Sequence, residues 1–511
     1  MCGRSLPAER HGTYLEKNKQ KNEHKNIRNR NESSFLLSGR ASRSRQKHIQ
    51  EQPLTGFSFC PEVRGAFRSR VHGALPGLIY RPVWGRMAHM ERFEIQGGKR
   101  LSGTIDVRGS KNAALPILAA TLLSTETSIV SNVPRIEDVF RLLEILESIG
   151  ASVEWRDDRT VAVTPRDIDP GRMDASLVKK IRSSILLLGS LPVRSERFSL
   201  YQPGGCVIGS RPVGTHFDAL RKLGVNISVS GDGKEYVVDA FGRKPGDIAL
   251  REMSVTATEN AMMLAAGMPG KTVIRVAATE PHVEDLGRFL GKMGAKISGL
   301  GTHVIEIEGT DKLSGAEHAV IPDANEAATF LILGVATGSP LTVTNAREHH
   351  LDIVLEKLRE FGADFHVDGD SITVVPADRL TAVSKIDTRT YPGIPSDVQA
   401  PFGVLAALAD GETLIFDTVF EGRFNYVAEL EKMRAHATVL NPHQVMFRGP
   451  AKLRGTTIRS YDLRAGAALI IAALAADGKT VIDDIYQVDR GYERIEERLS
   501  ALGADIRRVE A

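Results

Sequence analysis

A unit of roughly 70 residues that occurs six times limits the possible folds of this chain more than any other feature. Its marker is L-x-x-hydrophobic-G-A, with variations, at the end of an amphipathic segment. The copies are LESIGASV, LRKLGVNI, LGKMGAKI, LREFGADF, LEKMRAHA and LSALGADI, with the turn at Gly150, Gly224, Gly294, Gly362, Arg434 and Gly503. Successive turns are 74, 70, 68, 72 and 69 residues apart. This period favours compact α/β units, and a solenoid, whose repeats are usually shorter, is the alternative.

Each turn follows a predicted outer helix and precedes a segment with the alternation of a β-strand. A glycine suits the left-handed residue just after a helix, so Arg434 is expected to strain its turn. The first patterned strand is predicted over Phe93 to Ile105.

A second helix in each unit begins with polar residues and becomes almost wholly apolar, which predicts that it is buried. These six inner helices are predicted at 111–123, 178–191, 256–267, 325–336, 397–409 and 462–476. Units that alternate such helices with strands predict a mixed α/β fold, and six units divide naturally into two groups of three.

The inner helices carry polar and basic residues where they begin. Helix N-termini attract anions, so helices that point the same way would form an anion-binding funnel. Simple capping explains most of the Ser, Asp and Asn residues at these ends. Lys111, Arg182 and Arg464 are harder to explain by capping, because a cation beside a positive helix end needs an anion.

Two further segments carry candidate functional residues. The loop PGGCVIGSRP at 203–212 combines three glycines with Cys206 and Arg211, a setting that exposes a thiol and lowers its pKa, although a lone cysteine is more often a buried apolar residue. In QVDRGYERI, Asp489 and Arg490 precede the last outer helix and are candidates, whereas 492–494 are expected to be surface residues. His349 and His350 are expected to point to different sides at the surface. No set of His, Cys and carboxylate residues has metal-ligand spacing.

Charge is distributed unevenly along the chain. Residues 1–89 hold 17 Lys and Arg against 6 Glu, and the rest holds 49 against 57 Asp and Glu, so the body is acidic. This composition argues against nucleic acid as a partner and favours a small-molecule pocket. The body contains one cysteine and no apolar stretch long enough to span a membrane, so a cytoplasmic protein is expected.

Residues 1–89 lack periodicity and are expected to be a disordered basic extension. Because Met87 and Met90 immediately precede the first patterned strand, a start codon assigned too far upstream is the favoured explanation. A transit peptide and a basic tether are the alternatives.

Over residues 90–511 the chain resembles the UDP-N-acetylglucosamine 1-carboxyvinyltransferase family. The resemblance rests on motifs in family order, namely GSKNAALPILAA at 109–120, PGGCVIGSRP at 203–212, PSDVQAPF at 395–402, FEGRF at 420–424, DLRAGAAL at 462–469 and DRGYERIEERL at 489–499. It implies an inside-out α/β barrel of two domains, each built from three β-α-β-α-β-β units. The implied domains are 90–110 with 322–511, which is the catalytic domain, and 111–321, which carries the Cys206 loop as a lid.

The resemblance also implies a reaction and its residues. The family transfers the enolpyruvyl group of phosphoenolpyruvate to the 3-hydroxyl of UDP-N-acetylglucosamine and releases phosphate, the first committed step of peptidoglycan precursor synthesis. Cys206 matches the family's acid at C3, which the antibiotic fosfomycin alkylates, and Asp397 matches the base at the hydroxyl. The matching cations are Lys111, Arg211 and Arg490 for phosphate, and Arg423 and Arg464 for the carboxylate. The positions matching the UDP-sugar site are Asn112, Arg182, Ser254, Val255 and Val419. No metal or organic cofactor is implied.

The sequence departs from the family near the nucleotide. Gly214 and Thr215 replace an acidic and hydrophobic pair, and Glu252 stands where some members have lysine. A carboxylate beside a diphosphate is unfavourable unless it turns outward. One alternative is therefore an enolpyruvyl transferase for another uridine nucleotide or sugar. A noncatalytic repeat scaffold is a second alternative, of a different class.

Overall fold

The computed structural model describes residues 91–204 and 212–510, and the predictions for 1–90, Cys206 and Arg211 lie outside these residues. The described strands are β1 (Glu91–Gln96), β2 (Gly103–Asp106), β3 (Ser128–Ser131), β4 (Ser152–Trp155), β5 (Val161–Thr164), β6 (Arg197–Tyr201), β7 (Asn226–Val229), β8 (Glu235–Asp239), β9 (Asp247–Ala249), β10 (Gly270–Arg275), β11 (Lys296–Ser298), β12 (Val304–Gly309), β13 (Glu317–Ala319), β14 (Leu341–Thr344), β15 (Asp364–Asp368), β16 (Ser371–Val375), β17 (Lys385–Thr388), β18 (Gly411–Asp417), β19 (His436–Asn441), β20 (Gln444–Gly449), β21 (Thr457–Arg459), β22 (Lys479–Asp483) and β23 (Asp505–Glu510).

The α-helices of the same residues are α1 (Lys111–Ala120), α2 (Glu137–Ser148), α3 (Ala175–Val178), α4 (Leu187–Arg194), α5 (Gly214–Lys222), α6 (Val255–Ala266), α7 (Pro281–Met293), α8 (Ala324–Ala336), α9 (Asp352–Glu360), α10 (Gln399–Leu408), α11 (Asn425–Lys432), α12 (Leu463–Ala475), α13 (Tyr486–Asp489) and α14 (Ile495–Ala501). Short 3₁₀ segments cover Thr121–Leu123, Pro170–Arg172, Arg182–Leu186, Glu348–His350 and Ser396–Val398. No helix among the described residues is long and apolar enough to cross a membrane.

The described strands form six small sheets that follow one plan. In five sheets a parallel pair is extended by two antiparallel pairings, in the orders β13-β3-β5-β4, β9-β10-β12-β11, β2-β14-β16-β15, β17-β18-β20-β19 and β21-β22-β1-β23. The sixth, β6-β8-β7, has antiparallel pairs. The sheets surround apolar inner helices, which confirms the predicted inside-out α/β fold.

The start of the body pairs with strands from the end of the chain. In β1, Phe93 lies opposite Ile482 of β22, and β2 runs parallel to β14. The prediction of one strand from Phe93 to Ile105 is therefore wrong, because β1 and β2 belong to different sheets. β1 ends at Gln96, and the next residue has to be glycine, because a Cβ atom on Gly97 would lie 2.2 Å from the carbonyl oxygens of Ala473 and Ala476.

The buried apolar residues form two separate clusters. One contains residues of 93–107 and 327–506 and surrounds α8, α10 and α12. The other contains residues of 113–321 and surrounds α1, α4 and α6. Each cluster is enclosed by three of the six sheets, as the repeat count predicts. Below, these are called the C-terminal core and the central core.

The turns after the outer helices have the expected left-handed conformation. The six turn residues, which are Gly150, Gly224, Gly294, Gly362, Arg434 and Gly503, have φ values of 109°, 82°, 120°, 102°, 73° and 94°. Arg434 therefore adopts a conformation that costs a residue with a Cβ atom about 1–2 kcal/mol.

The second inner helix differs from its prediction at 178–191. It is interrupted at Ile181, which is extended, and resumes as the 3₁₀ segment Arg182–Leu186 and then α4. Ser184 Oγ donates to the carbonyls of Val178 and Ile181. These carbonyl groups at the interruption therefore have a hydrogen-bond partner within the chain.

Candidate active site

The N-terminal ends of all six inner helices line one cavity of about 570 Å³. The residues at these ends are Lys111, Arg182, Val255, Asn325, Asp397 and Arg464. The expectation that the helix ends converge is confirmed. Because each helix end presents a partial positive charge, the cavity is suited to an anionic ligand.

Two of these helix ends also bear capping carboxylates. Asp462 accepts from the backbone N–H groups of Arg464 and Ala465 in α12. Asp323 caps α8 and also accepts from the backbone N–H of Lys111, at 3.2 Å. Asp323 thereby joins the beginning of α8 to the beginning of α1 and fixes their relative positions.

Asp138 lies between two of the predicted phosphate-binding cations. Its Oδ2 is 2.7 Å from Lys111 Nζ, and its Oδ1 accepts from Arg490 Nε at 2.9 Å. All three side chains are buried. Burial alone would raise the pKa of Asp138, but Lys111 and Arg490 outweigh it and hold that pKa below its usual value. A carboxylate thus neutralises part of the charge that an incoming phosphate would meet.

Asp397 has the same position between the two predicted carboxylate-binding cations. Its Oδ1 accepts from Arg423 Nη2 at 2.9 Å, and its Oδ2 accepts from Arg464 Nε at 3.3 Å. Asn325 Nδ2 donates to the same Oδ2. Burial would raise the pKa of Asp397, but Arg464 and Arg423 hold it well below its usual value. Asp397 is therefore ionised and a weak base in this state.

The other predicted binding residues in the described part of the chain also line the cavity. They are Asn112, Arg182, Ser254, Val255 and Val419. The structure thus brings together ten predicted site residues that span about 380 positions, from Lys111 to Arg490. Cys206 and Arg211 lie outside the described residues, so their predicted roles stay predictions.

One expectation for the polar segment 487–495 is wrong, and one candidate residue of it lies away from the cavity. Tyr492 is not a surface residue, because its hydroxyl is buried against Thr329 and accepts from Arg464 Nη1 at 3.1 Å. Asp489 ends α13 and pairs with Arg508, and it does not line the cavity.

The two adjacent histidines also differ from their prediction. The rings of His349 and His350 are in contact, with centroids 4.3 Å apart, and His350 lines the cavity. Burial first, and then the neighbouring His349 and Arg347, lower the pKa of His350 to about 4. His350 is therefore neutral at physiological pH.

Several cavity residues had no signal in the sequence. Asp138 lies in the first turn of an ordinary amphipathic helix, and Glu259 lies in a largely apolar one. Ser183 and Glu280 also line the cavity. Only the contact between repeats reveals them, because none belongs to a spacing that predicts chemistry.

Two departures noted in the sequence contact each other. Thr215 Oγ1 donates to Glu252 Oε1 at 2.6 Å, and Glu252 is an exposed residue of the cavity wall. The Glu252 carboxylate is thus anchored by the substituted residue of α5.

Comparisons with known proteins identify the family. Residues 95–499 match the profile of EPSP synthase (3-phosphoshikimate 1-carboxyvinyltransferase). A UDP-N-acetylglucosamine 1-carboxyvinyltransferase of Finegoldia magna is 43% identical over 423 residues, which is 82% of this chain and 99% of the relative. One from Coxiella burnetii is 42% identical over 420 residues, 82% of this chain and 96% of the relative.

Solved structures agree with this assignment. The enolpyruvyl transferase NikO from Streptomyces tendae is similar with a TM-score of 0.75 and 29% identity, covering 83% of this chain and all of NikO. EPSP synthase from Acinetobacter baumannii shares the fold, with a TM-score of 0.62 and 20% identity over 82% of this chain and 100% of that protein. The chain is an enzyme of the enolpyruvyl transferase class, and it belongs to the UDP-N-acetylglucosamine 1-carboxyvinyltransferase family.

Proposed function

We propose that the chain transfers the enolpyruvyl group of phosphoenolpyruvate to the 3-hydroxyl of UDP-N-acetylglucosamine, in peptidoglycan precursor synthesis in the cytoplasm. One observation carries the proposal: two pairs of buried cations, each bridged by a carboxylate, face one cavity. Phosphoenolpyruvate has two anionic groups, a phosphate and a carboxylate, joined by a short rigid unit. Two cation pairs in one cavity suit such a dianionic or trianionic molecule.

In this proposal Lys111 and Arg490 bind the phosphate, together with Arg211, and Arg423 and Arg464 bind the carboxylate. Arg464 is held by the Tyr492 hydroxyl as well as by Asp397, so its guanidinium is oriented before the ligand arrives. Because these cations are already in position, they need little rearrangement, and little free energy is spent on it, when charge moves during the reaction.

Asp397 serves as the base for the acceptor hydroxyl. Its pKa is low while it pairs with both Arg423 and Arg464. A substrate carboxylate that binds these arginines competes with Asp397 for their charge, which raises the pKa of Asp397 and makes it a better proton acceptor. Binding of one substrate thus prepares the group that activates the other.

The proposed reaction is an addition followed by an elimination. Cys206 delivers a proton to C3 while the acceptor oxygen bonds to C2 and its proton passes to Asp397. The bond between C2 and the phosphate oxygen then breaks and C3 returns a proton to the Cys206 thiolate, which restores both the double bond and the thiol. Asn112, Arg182, Ser254, Val255 and Val419 bind the UDP-sugar.

The two cores correspond, in our proposal, to two domains formed by 90–110 with 322–511 and by 111–321. Lys111 and Asp138 belong to the second and Arg490 to the first, so the phosphate site includes groups from both. The Cys206 loop closes over this site as a lid.

A product assay tests the reaction directly. Incubation with phosphoenolpyruvate and UDP-N-acetylglucosamine is expected to release phosphate and give a nucleotide product heavier by one enolpyruvyl group, measured by mass spectrometry. If product forms only with another uridine nucleotide, that nucleotide is the acceptor and the assignment of UDP-N-acetylglucosamine is wrong. Phosphate release without a coupled product would contradict the transfer.

A cysteine pair tests the acid. C206S is expected to lose most of the turnover, since general acid catalysis is worth about 10²–10⁴-fold. The matched control is C60S, in the segment that precedes the region shared with the relatives, which is expected to keep wild-type turnover. Full activity in C206S would refute the role of Cys206 as the acid.

A further inference from the structure

The cavity has two chemically different sides. Lys111, Arg423, Arg464 and Arg490 form the cationic side described above. Ser183 and Glu259 lie on the wall that the central core contributes, and neither has a part in the proposed chemistry. The second wall therefore faces a part of the ligand other than the phosphate and carboxylate.

Close helix packing fixes this second wall. Gly189 of α4 lies so near α6 that a Cβ atom on it would be 2.6 Å from the Cα and carbonyl oxygen of Asn260. Asn260 Nδ2 donates to the carbonyl of Ile185 at 3.2 Å. These contacts hold the segment that carries Ser183 against the helix that carries Glu259, so both side chains have defined positions at the cavity.

Both residues present polar atoms that the protein does not satisfy. Glu259 is only 2% exposed, and its Oε1 has no hydrogen-bond partner among the described residues. Ser183 Oγ is likewise buried without a partner there. Glu280 Oε2, in a third residue of this cavity, is also buried without a partner among the described residues. Buried polar atoms are rarely left without hydrogen bonds, so residues of one cavity that carry several such atoms point to a ligand that supplies the bonds.

The surroundings of Glu259 favour its neutral form. Burial raises the pKa of Glu259 well above its usual value, and the charge of Glu280 raises it further. The other titratable groups of this wall are His216 and His282, whose pKa values burial lowers, together with Arg182 and the exposed Glu252. Among the described residues no ion pair joins Glu259 to a cation, so a protonated carboxyl is the stable form.

We propose that Glu259 and Ser183 form a subsite for an uncharged hydroxyl or amide group of the acceptor. This inference rests on the proposed function, because it assumes that the acceptor is a sugar nucleotide bearing such groups. In the subsite Glu259 donates a hydrogen bond as the protonated acid, and Ser183 donates or accepts a second. A phosphate is disfavoured here by Glu280, and the described residues contain no cluster of three side chains suited to a metal ion.

Two substitutions of Glu259 test the subsite. E259Q keeps the shape and a donor, so the KM for the acceptor is expected to stay within about 3-fold of wild type at neutral pH. E259L removes the hydrogen bonds and is expected to raise that KM roughly 10-fold or more, with the KM for phosphoenolpyruvate nearly unchanged. If E259Q binds the acceptor as poorly as E259L, or if both KM values rise together, the inference is wrong.

The pH dependence of the acceptor KM distinguishes a protonated Glu259 that binds the acceptor from a Glu259 with only a structural role. In wild type the acceptor KM is expected to rise in alkaline solution as Glu259 ionises, and E259Q is expected to lose this rise. The matched control is E147Q, which removes a carboxyl of raised pKa on α2 that does not line the cavity, and it should keep the wild-type profile. An unchanged alkaline rise in E259Q would overturn the proposal.

An infrared measurement distinguishes failure of this inference from failure of the proposed function. Wild type is expected to show the C=O stretch of a protonated carboxylic acid at neutral pH, absent in E259Q, and shifted on addition of UDP-N-acetylglucosamine. A band that is present and shifted, with no product formed, would refute the proposed reaction only. A missing band, with normal product formation, would refute the subsite only.

Discussion

At the scale of single residues, the cavity pairs each group of cations with one carboxylate. The basic residues Lys111 and Arg464 were recognisable because a cation at a helix N-terminus is electrostatically unfavourable without an anion. The counter-charge Asp138 was not recognisable, since it comes from a different helix and the ion pair exists only after the chain has folded. The cations are therefore easier to recognise in the sequence than the carboxylates that pair with them.

A substitution of Asp138 tests its role as the counter-charge. D138N leaves Lys111 and Arg490 buried without it, and the free energy of unfolding is expected to fall by about 3 kcal/mol. Added inorganic phosphate should raise the thermal midpoint of D138N more than that of wild type, because the anion replaces the lost charge. Since the folded-state pKa of Asp138 is lowered, its stabilisation is present above the usual pKa and is lost as the pH falls through the folded-state value.

The control for D138N is E412Q. Glu412 pairs with Arg448, but both side chains are more than half exposed, so removing this charge should change stability by less than about 1 kcal/mol. Equal effects of the two substitutions would contradict a special role for Asp138.

At the scale of elements, local sequence determines the turns after the outer helices, whereas the course of the inner helices also depends on contacts made in the folded chain. The turn prediction was correct even at Arg434, because a left-handed residue after a helix is a local requirement. The interruption at Ile181 was not predicted, because the apolar pattern continues through it and Ser184 satisfies the carbonyls only in the folded chain.

Substitutions of two helical glycines by alanine measure the effects of close packing and of helix propensity separately. G189A inserts a methyl group against Asn260 and is expected to lower the free energy of unfolding by about 1–3 kcal/mol. G291A in α7 meets no atom within 4 Å and is expected to raise it by up to about 1 kcal/mol, because alanine favours a helix. Denaturant unfolding measures both, and stabilisation by G189A would show that α4 and α6 can separate at no cost.

At the scale of the whole molecule, buried charges join the two cores. Glu493, from the C-terminal core, accepts from the backbone N–H of Arg135 and from Arg159 Nη2, each at 3.0 Å. Arg135 in turn lies 4.8 Å from the ring centroid of Trp155, in the central core. The environment of Trp155 is therefore connected to a contact between the cores.

This arrangement gives a test of coupling between the cores. In a W84F background, which leaves Trp155 as the single tryptophan, fluorescence and circular dichroism are expected to report the same unfolding transition. E493Q is expected to separate the two transitions, because it weakens the contact between cores without touching either interior. Coincident transitions in E493Q would contradict this coupling, and E306Q, which removes an exposed charge paired with Lys271, is the control.

The sequence by itself determined the repeat, the buried inner helices, the turns and the family, because each depends on local patterns or on motifs that stay together along the chain. Only the tertiary structure decided that β1 and β2 enter different sheets, that Asp138 bridges Lys111 and Arg490, and that Glu259 faces the cavity. The physical reason is that pairing, counter-charges and desolvation depend on which distant segments meet, and a single chain's periodicity carries no information about those partners.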